Sequence, residues 1–275
     1  MSEKRLDARF LLIPNDKDLK KFINYDFYGF ILPLKDFSIG FDNYFDVDEI
    51  NNLSKNHKIF VILNRFLHKK DLESIKTIIK DIKNVEGFFI EDLGLINILG
   101  KDNIIINQNH IINNYDSVTF LKSLNLNQTV VSNELTIDEL MEIRNINYDS
   151  VLYYNLICRN SLMYSKRELL TNYFQYYGLL KNKDSYQITE KVSNKGLIIK
   201  EENGSTIIFD KNIFVANKYL NKLNCYDFLI VNINNMNFKE VELILNNYQK
   251  SVINGIESNY YFLENKIGYK VGNNA

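Results

Sequence analysis

Polar residues directly follow the apolar runs of this sequence, and they are the first candidates for chemistry. They occur as the pairs Pro14-Asn15, Asn64-Arg65, Glu91-Asp92, Asn107-Gln108, Asn133-Glu134 and Tyr154-Asn155. Carboxylates can act as general acids or bases, and amides can orient a substrate. Glu134 ends an apolar run, where an unpaired buried charge is costly. It is therefore a catalytic candidate, or else it caps a loop or pairs with a lysine.

The histidines and cysteines are weaker candidates. His57 and His68 lie among polar residues and are expected to be solvated, whereas His110 follows the fifth apolar run and can face a site. No HxH, HxxxH or CxxC spacing is present, so we predict no metal site. Arg159 could lower the pKa of the neighbouring Cys158 thiol, but a small buried residue is the simpler interpretation. The sequence also contains no P-loop, GxGxxG or GxSxG motif.

One segment mixes basic and aromatic residues. Lys166 and Arg167 stand near the rings of Tyr164, Tyr173, Phe174, Tyr176 and Tyr177. Such a mixture can hold phosphates and stack bases, or it can form an amphipathic helix whose rings cover the rest of the protein. Arg167 is the stronger phosphate candidate because a guanidinium can bind phosphate with two hydrogen bonds. It could instead form an ion pair with Glu134.

These candidates must be positioned by alternating apolar runs and amphipathic stretches, a pattern typical of βα units. Strands are predicted at Phe10–Ile13, Tyr28–Leu34, Lys58–Leu63, Val85–Ile90, Asn103–Ile106, Thr129–Ser132, Ser150–Tyr154 and Phe228–Asn232. Helices are predicted at Asp16–Asn24, Asp46–Lys55, Asp71–Lys83, Tyr115–Leu124 and Thr136–Asn145. The last opens with a capping box formed by Thr136 and Glu139. Eight strands with intervening helices predict an α/β fold of the (β/α)8 TIM-barrel type.

The alternation of strands and helices is interrupted once, before the last predicted strand. A helical run at Ser165–Tyr177 is followed by a hairpin whose strands, Leu197–Glu201 and Ser205–Phe209, flank an Asn-Gly turn. We interpret about 160–213 as an insertion packed on the barrel, because no flexible linker bounds it. The chain is thus predicted to be a single barrel domain over 1–275. The carboxyl ends of parallel strands converge, so Asn64, Asp92, Gln108, Asn133 and Glu134 are expected to line its mouth.

Composition excludes several classes of protein. The 275 residues carry 33 Lys and Arg against 34 Asp and Glu, a net charge of −1, which excludes a polycationic nucleic-acid-binding module. Two cysteines, Cys158 and Cys225, exclude a disulfide framework, and we expect no iron–sulfur cluster in the isolated chain. No apolar stretch is long enough for a signal peptide or a membrane span, so we expect a cytoplasmic protein.

Five segments carry a family pattern. They are Asp92-Leu-Gly94, Gln108 with Asn113, Val130–Leu135 followed by Thr136–Leu140, Ser165–Phe174, and Ile207–Lys211. In these segments the chain resembles the peptidase U32 family, a collagenase-like group, over nearly its whole length. Ser165–Phe174 is similar to the family's Ser-x-Arg-x-Leu-Leu-x-Asn-Tyr pattern. Val130–Leu135 is similar to its Val-Val-x-x-Arg-Glu-Leu pattern.

The departures from the family are as informative as the matches. Asn133 stands where the family has arginine before its glutamate, and Ile230 stands where a lysine is common. Ser161 and Glu168 stand near positions where many members have cysteines. The early glutamate of the first strand is absent from Phe10–Pro14. The cluster-binding chemistry of some relatives is therefore not carried over, and the chain looks like a divergent member of a cysteine-poor branch.

The resemblance implies three functions. The cysteine-poor pattern looks most like the group that supports 5-hydroxylation of the tRNA wobble uridine, so we expect tRNA as a partner. A collagenase-like peptidase and a non-catalytic partner subunit of a second U32-like protein are the alternatives. The family motifs and the strand ends together nominate Glu134, Gln108 and Asp92 as catalytic and Asn64, Asn113, Asn133, Ser165 and Arg167 as substrate-binding.

Overall fold

Eight parallel strands close into a barrel at the centre of the protein. The computed structural model describes residues 7–108, 110–191, 194–260 and 262–264. Its strands are β1 Arg9–Ile13, β2 Gly29–Pro33, β3 Ile59–Leu63, β4 Gly87–Ile90, β5 Ile104–Ile106, β6 Gln128–Val131, β7 Val151–Ser165, β8 Ser185–Thr189, β9 Gly196–Glu202, β10 Ser205–Val215, β11 Phe228–Asn232 and β12 Ser258–Asn259. The strand order is β11-β1-β2-β3-β4-β5-β6-β7, and a parallel pairing of β11 with β7 closes the ring. The predicted (β/α)8 barrel is confirmed.

Helices cover the outside of the barrel. They are α1 Val47–Leu53, α2 Lys69–Asp81, α3 Ile96–Leu99, α4 Tyr115–Ser123, α5 Ile137–Ile146, α6 Leu169–Tyr176, α7 Leu220–Leu223 and α8 Phe238–Leu245. The predicted capping box opens α5, where Thr136 and Glu139 bond to each other's backbone N–H groups. No helix in the described part of the chain is both long and apolar enough to cross a membrane.

One predicted helix is wrong. The segment Asp16–Asn24 forms only a 3-10 turn at Leu19–Phe22, with the Asp18 side chain accepting a hydrogen bond from Lys20 N. Leu19 and Phe22 are both buried. Residues three apart lie on the same side of a 3-10 helix, so this tighter turn buries both side chains within a short connection.

The barrel interior follows the two-residue period of the strands. Side chains at alternate positions form an inner apolar cluster that includes Leu11, Phe60, Phe89, Tyr153 and Phe228. The rings of Tyr153 and Phe228 stack at 4.6 Å between centroids. The interior of the barrel is filled with side chains and leaves no room for a ligand, and the carboxyl ends of the strands above this cluster are where α/β barrels carry their sites.

The strand β7 is longer than predicted. It was expected to end at Tyr154 but continues to Ser165, and its outer half pairs antiparallel with β10. Residues 155–165 look loop-like because they include Asn155, Arg159 and Asn160, yet backbone bonds to β10 hold them extended. The predicted hairpin is present as β9 and β10, and β8 adds a further strand. The predicted boundaries of the insertion, about 160–213, stay a prediction.

Candidate functional site

A cavity of about 120 Å³, lined by both polar and apolar side chains, lies at the carboxyl end of the barrel strands. Five of its wall residues each lie two positions beyond an inward-facing residue of the inner cluster, namely Asn64 beyond Ile62, Glu91 beyond Phe89, Asn107 beyond Ile105, Asn155 beyond Tyr153 and Asn232 beyond Ile230. Successive strand side chains point to opposite faces, so the two-residue step keeps these polar groups inside the barrel. They form the layer directly above the apolar interior.

Glu91 is the carboxyl group of this layer. Burial raises its pKa to about 8, so the carboxyl group is neutral at pH 7. The Asn107 amide lies beside it, with Nδ2 3.4 Å from Glu91 Oε1. A neutral carboxyl group can donate a hydrogen bond as well as accept one, so this wall can pair with a carbonyl oxygen of a ligand.

The ends of β6 and β7 form a second polar cluster. The Asn133 amide Nδ2 donates to Asn160 Oδ1 at 2.9 Å and lies 3.4 Å from Cys158 Sγ. Cys158 Sγ in turn lies 3.3 Å from Asn160 Oδ1. Burial raises the pKa of the Cys158 thiol to about 12, so the sulfur is a protonated donor and not a nucleophile. The interpretation of Cys158 as a small buried residue agrees with this geometry.

Arg159 brings a buried guanidinium to the cavity wall. Its Nε donates to the Asn235 carbonyl at 2.7 Å, and its Nη2 lies 3.1 Å from a carboxylate oxygen of Glu240 on α8. Its Nη1 is buried without a hydrogen-bond partner in the described part of the chain. An unmade hydrogen bond of a buried guanidinium is costly, so Nη1 favours a ligand that brings an acceptor oxygen.

The loop between β2 and α1 covers the cavity, and we call it the roof loop. The Asn64 side chain holds this loop with two bonds to Ile39, donating to its carbonyl at 3.0 Å and accepting from its N–H at 2.9 Å. Lys200 on β9 donates to the carbonyl of Phe41 at 2.8 Å, and Asn235 donates to that of Gly40 at 2.7 Å. The barrel, the insertion and the loop after β11 therefore all fix the roof.

The predicted site residues do not all meet at this cavity. Asn64 and Asn133 line it. Asp92 instead accepts hydrogen bonds from the N–H groups of Leu67 and Gly94, both at 2.9 Å, and so holds two loops. The Gln108 side chain donates to the backbone carbonyl of Glu91, which makes it a support of the strand end.

Glu134 and Asn113 lie toward the outer rim. Glu134 Oε1 is 3.2 Å from Nδ1 of His110, so the side chain that it contacts is a histidine, not the lysine or Arg167 considered from the sequence. Asn113 donates to the carbonyl of His110 at 2.8 Å, while its Oδ1 is buried without a partner in the described residues. Neither side chain lines the cavity.

The basic and aromatic segment divides between cavity and solvent. Tyr164 lines the cavity, and Ser165 ends β7 opposite Thr206. Arg167 is exposed and makes no ion pair among the described residues, while its carbonyl accepts from Thr206 Oγ1 at 2.7 Å. Tyr173, Tyr176 and Tyr177 are more than half exposed. The interpretation that the helix covers the barrel with its rings is wrong for these three tyrosines.

The sequence already held a signal for the residues that were missed. Four missed residues each lie two positions beyond an inward-facing side chain of their strand and so also face inward: Glu91, Asn107, Asn155 and Asn232. Asp92 and Gln108 lie one residue further along the chain and so fall on the opposite face. Alternation along each strand would have separated the two groups. Arg159 could not be found this way, because the extension of β7 was not predicted.

The described residues contain no cluster of three or more His, Cys, Asp or Glu side chains suited to a metal ion. The expectations of no metal and no iron–sulfur cluster stay predictions. The arrangement is instead a hydrogen-bonding pocket of amides, one neutral carboxyl group and one guanidinium. It can bind and orient a small polar ring, and no histidine from the described residues lines it.

The fold and cavity define an α/β barrel with a polar pocket at the carboxyl ends of its strands, and comparison with known proteins identifies its family. Residues 42–262 match the family model described as Peptidase family U32, and the chain belongs to this family. The solved structure of the U32 peptidase Mk0906 superposes with a TM-score of 0.53 at 9% identity, covering 84% of this chain and 95% of that chain. That likeness confirms the fold.

A curated relative matches part of this chain. The tRNA hydroxylation protein P of Haemophilus influenzae (strain ATCC 51907 / DSM 11121 / KW20 / Rd) is 32% identical over 139 residues. The match covers 46% of this chain and 28% of that protein, so most of the relative's length has no counterpart in the match. A second solved structure, the spore cortex-lytic enzyme SleL of Bacillus cereus, superposes with a TM-score of only 0.35 at 8% identity, covering 87% of this chain and 73% of that chain.

Proposed function

We propose that this chain takes part in 5-hydroxylation of the wobble uridine of tRNA and that its mouth cavity binds the uracil ring. The main observation behind this proposal is the composition of the cavity wall, which combines Asn155, the Nη1 of Arg159 without a hydrogen-bond partner among the described residues, and the neutral Glu91. A uracil edge presents one N–H donor between two carbonyl acceptors. Amides both donate and accept, and a neutral carboxyl group does the same, so this wall matches that edge.

The size of the cavity supports a single ring. Its volume of about 120 Å³ exceeds the 10–15 Å³ or so that one water molecule needs and lies below the roughly 300 Å³ of pockets for larger ligands. Proteins that read unpaired RNA bases commonly splay a base out of its stack and bond to its edge. In this proposal the base enters the cavity while its ribose and phosphates stay outside.

The relative named for tRNA hydroxylation supports this choice of substrate, and a tRNA substrate agrees with the expectation of a cytoplasmic protein. Replacing C5–H by C5–OH is a two-electron oxidation of the ring. We assign to this chain the binding and orientation of the uracil, and not the supply of the oxidant. The roof loop held by Asn64 would keep water away from the bound ring.

Mass spectrometry of tRNA nucleosides tests the proposal. A strain lacking the gene should lose 5-hydroxyuridine at the wobble position and regain it with the wild-type chain. Asn155→Ala and Glu91→Ala should restore less, because each removes a group of the cavity wall. Glu73→Ala, on the exposed face of α2, is the matched control and should restore it fully. An unchanged level of 5-hydroxyuridine in the deletion strain would contradict the proposal.

A specific observation favours a second candidate, the non-catalytic partner subunit. Asn133 lines the cavity and Ile230 lies directly below it, at the two positions where the family resemblance implies arginine and lysine. The cavity therefore lacks two cations that the resemblance would place in it. For a partner subunit, affinity purification should recover a second U32-like chain that carries both, and Asn155→Ala should leave 5-hydroxyuridine unchanged.

The peptidase alternative gains no support from the cavity. Cys158 is protonated there, and no histidine among the described residues lines the wall to activate Ser161. A peptidase would nevertheless cleave denatured collagen, and Glu134→Gln would abolish that cleavage if Glu134 is catalytic. We expect no cleavage by the wild-type chain.

A further inference from the structure

Three tyrosines of the insertion face solvent beside the barrel mouth. Tyr173 and Tyr176 lie on α6 and are 55% and 83% exposed, and Tyr177 caps the helix and is 59% exposed. Large side chains exposed together on one short helix are unusual for a surface without a partner. We call these three residues the tyrosine platform.

The geometry of the platform leaves ring faces available. The Tyr173 and Tyr177 centroids lie 4.8 Å apart with planes at 54°, and those of Tyr176 and Tyr177 lie 5.0 Å apart with planes at 88°. None of these pairs is stacked face to face, so the rings do not cover one another. Phe174 holds the platform down, because it contacts Tyr173 on one side and Tyr186 of β8 on the other.

The charge around the platform favours an anionic partner. Residues 163–191 carry five basic and three acidic side chains, a net charge of +2 in a chain whose total is −1. Arg167 before α6 and Lys183 after it are both exposed, and neither forms an ion pair with any described residue. Phosphates can therefore be bound on both sides of the helix.

The neighbouring groove has the opposite charge. It lies between the roof loop and the insertion, and its lining carries seven acidic and three basic side chains, with Glu168 and Asp184 among the acidic ones. The net negative charge of this lining disfavours a phosphate chain. None of the three platform tyrosines belongs to the lining, so the tyrosine face of α6 is the favourable approach. The rim is thus divided into an acidic groove and a basic aromatic face.

The platform also lies within reach of the cavity. Tyr164 lines the cavity and is joined to α6 by only the last residue of β7 and a short turn. Strand and helix rises limit the distance from Tyr164 to Tyr173 to about 25 Å. A single-stranded loop with one base in the cavity can place its next bases on α6.

We propose that the tyrosine platform stacks unpaired RNA bases that flank the base held in the cavity, with Arg167 and Lys183 contacting the phosphates. This inference rests on the proposed function, because it takes RNA as the substrate class. Stacking on aromatic rings tolerates any base, so the platform would supply affinity and the cavity would supply selectivity.

Fluorescence anisotropy with a labelled anticodon stem-loop that carries an unmodified wobble uridine tests the platform. The double variant Tyr176→Ala/Tyr177→Ala should bind at least about tenfold more weakly, because each stacked base contributes about 1–3 kcal/mol. Tyr176→Phe/Tyr177→Phe should bind like the wild type, because the rings remain. Tyr148→Ala is the matched control, since Tyr148 is 72% exposed and precedes β7 at the opposite end of the barrel.

The contribution of Arg167 and Lys183 is tested separately, through the salt dependence of RNA binding. The double variant Arg167→Ala/Lys183→Ala should lower affinity and flatten the dependence of log Kd on log salt by about 1.4, for two lost contacts to a single strand. A blunt RNA duplex should bind the tyrosine variants as it binds the wild type, because its bases are not free to stack. Equal stem-loop affinity of the Tyr→Ala variant and the wild type would overturn the proposal.

A protein partner is the competing outcome. If the wild-type chain self-associates in sedimentation and Tyr176→Ala/Tyr177→Ala is monomeric with unchanged RNA affinity, the platform is a protein interface and the proposal fails. The two proposals also fail separately. If stem-loop binding depends on the tyrosines but the deletion strain keeps its 5-hydroxyuridine, the platform proposal stands and the proposed function is wrong. If the deletion strain loses 5-hydroxyuridine but stem-loop binding does not depend on the tyrosines, only the platform proposal is wrong.

Discussion

Glu91 and Asn107 end neighbouring parallel strands and meet inside the barrel mouth, with Asn107 Nδ2 3.4 Å from Glu91 Oε1. Each lies two residues beyond an apolar side chain of the inner cluster, so both are held at the same height above the barrel interior. This relationship places a carboxyl group where water is scarce, and its pKa rises to about 8 for that reason.

The raised pKa of Glu91 predicts a pH-dependent stability difference. The folded chain keeps the proton up to about pH 8, whereas the unfolded chain releases it near pH 4.5. The unfolded state therefore binds fewer protons within this window, so the contribution of Glu91 to the free energy of unfolding falls as pH rises from 4.5 to 8 and is level above. Glu91→Gln should gain stability relative to the wild type across that window, measured by urea denaturation.

Comparing the two chains at each pH cancels the titration of every other group. Glu73→Gln, an exposed carboxylate on α2, serves as the control and should show no such trend. A constant difference between Glu91→Gln and the wild type from pH 4.5 to pH 8 would show that Glu91 is ionised in the folded chain.

The buried thiol gives a second prediction. Cys158 is 6% exposed with a pKa of about 12, whereas Cys225 is partly exposed. In the variant Cys225→Ser, a thiol reagent at pH 8 should label nothing until denaturant is added, because neither access nor thiolate is available. In Cys158→Ala the remaining thiol should react without denaturant. Rapid labelling of Cys225→Ser in native buffer would mean that the cavity opens to solvent.

Gly40 gives a third prediction, because the roof loop leaves no space for a side chain there. Its φ is +89°, and a Cβ would lie 2.6 Å from Cζ of Phe209. Gly40→Ala should lower the free energy of unfolding by about 1–3 kcal/mol through backbone strain and this contact. Thermal and urea denaturation measure the loss.

A double-mutant cycle with Phe209→Leu separates these two causes. Leucine has no atom at the Cζ position, so Gly40→Ala should cost less in the Phe209→Leu background, with the strain from the positive φ remaining. Strictly additive effects would show that the roof loop moves away from β10 to accommodate the methyl group.

The buried ion pair of Arg144 gives a fourth prediction. Arg144 is 2% exposed, and its Nη1 donates to the Ser150 carbonyl at 2.8 Å and to Asp227 Oδ2 at 3.1 Å. The same oxygen accepts from Leu152 N at 2.9 Å, so it joins α5 to the start of β7 beside β11. Asp227→Ala should destabilise the chain by about 3–5 kcal/mol because it leaves a buried cation unpaired.

An exposed pair provides the comparison. Lys76 and Glu73 lie on the solvent side of α2 at 2.9 Å, and Lys76→Ala should change the free energy of unfolding by less than about 1 kcal/mol. Both variants are measured by urea denaturation at pH 7. A small effect of Asp227→Ala would mean that water enters to solvate Arg144.

Local patterns in the sequence predicted much of the fold. The eight barrel strands, α1, α2, α4 and α5 with its capping box, and the β9–β10 hairpin all have short-range signals in hydrophobic periodicity, caps and the Asn-Gly turn. Such signals depend on residues close in sequence, and the sequence displays them directly. The helix predicted over 16–24 is wrong because a short connection favours a 3-10 turn, and hydrophobic periodicity does not distinguish such a turn from an α-helix.

The site was predicted less completely, for a physical reason. The sequence alone determined that polar groups end the barrel strands, and hence that the mouth is the place for a site. Alternation along each strand separates Glu91 from Asp92, but only the tertiary structure decided which of the two faces inward, since Glu91 faces the cavity and Asp92 holds loops beside it. It also decided that β7 continues past Tyr154 to bring Arg159 into the wall, because the bonds that extend it come from β10, some fifty residues later in the chain. Strand register and long-range pairing follow from contacts between distant segments, and local periodicity does not encode them.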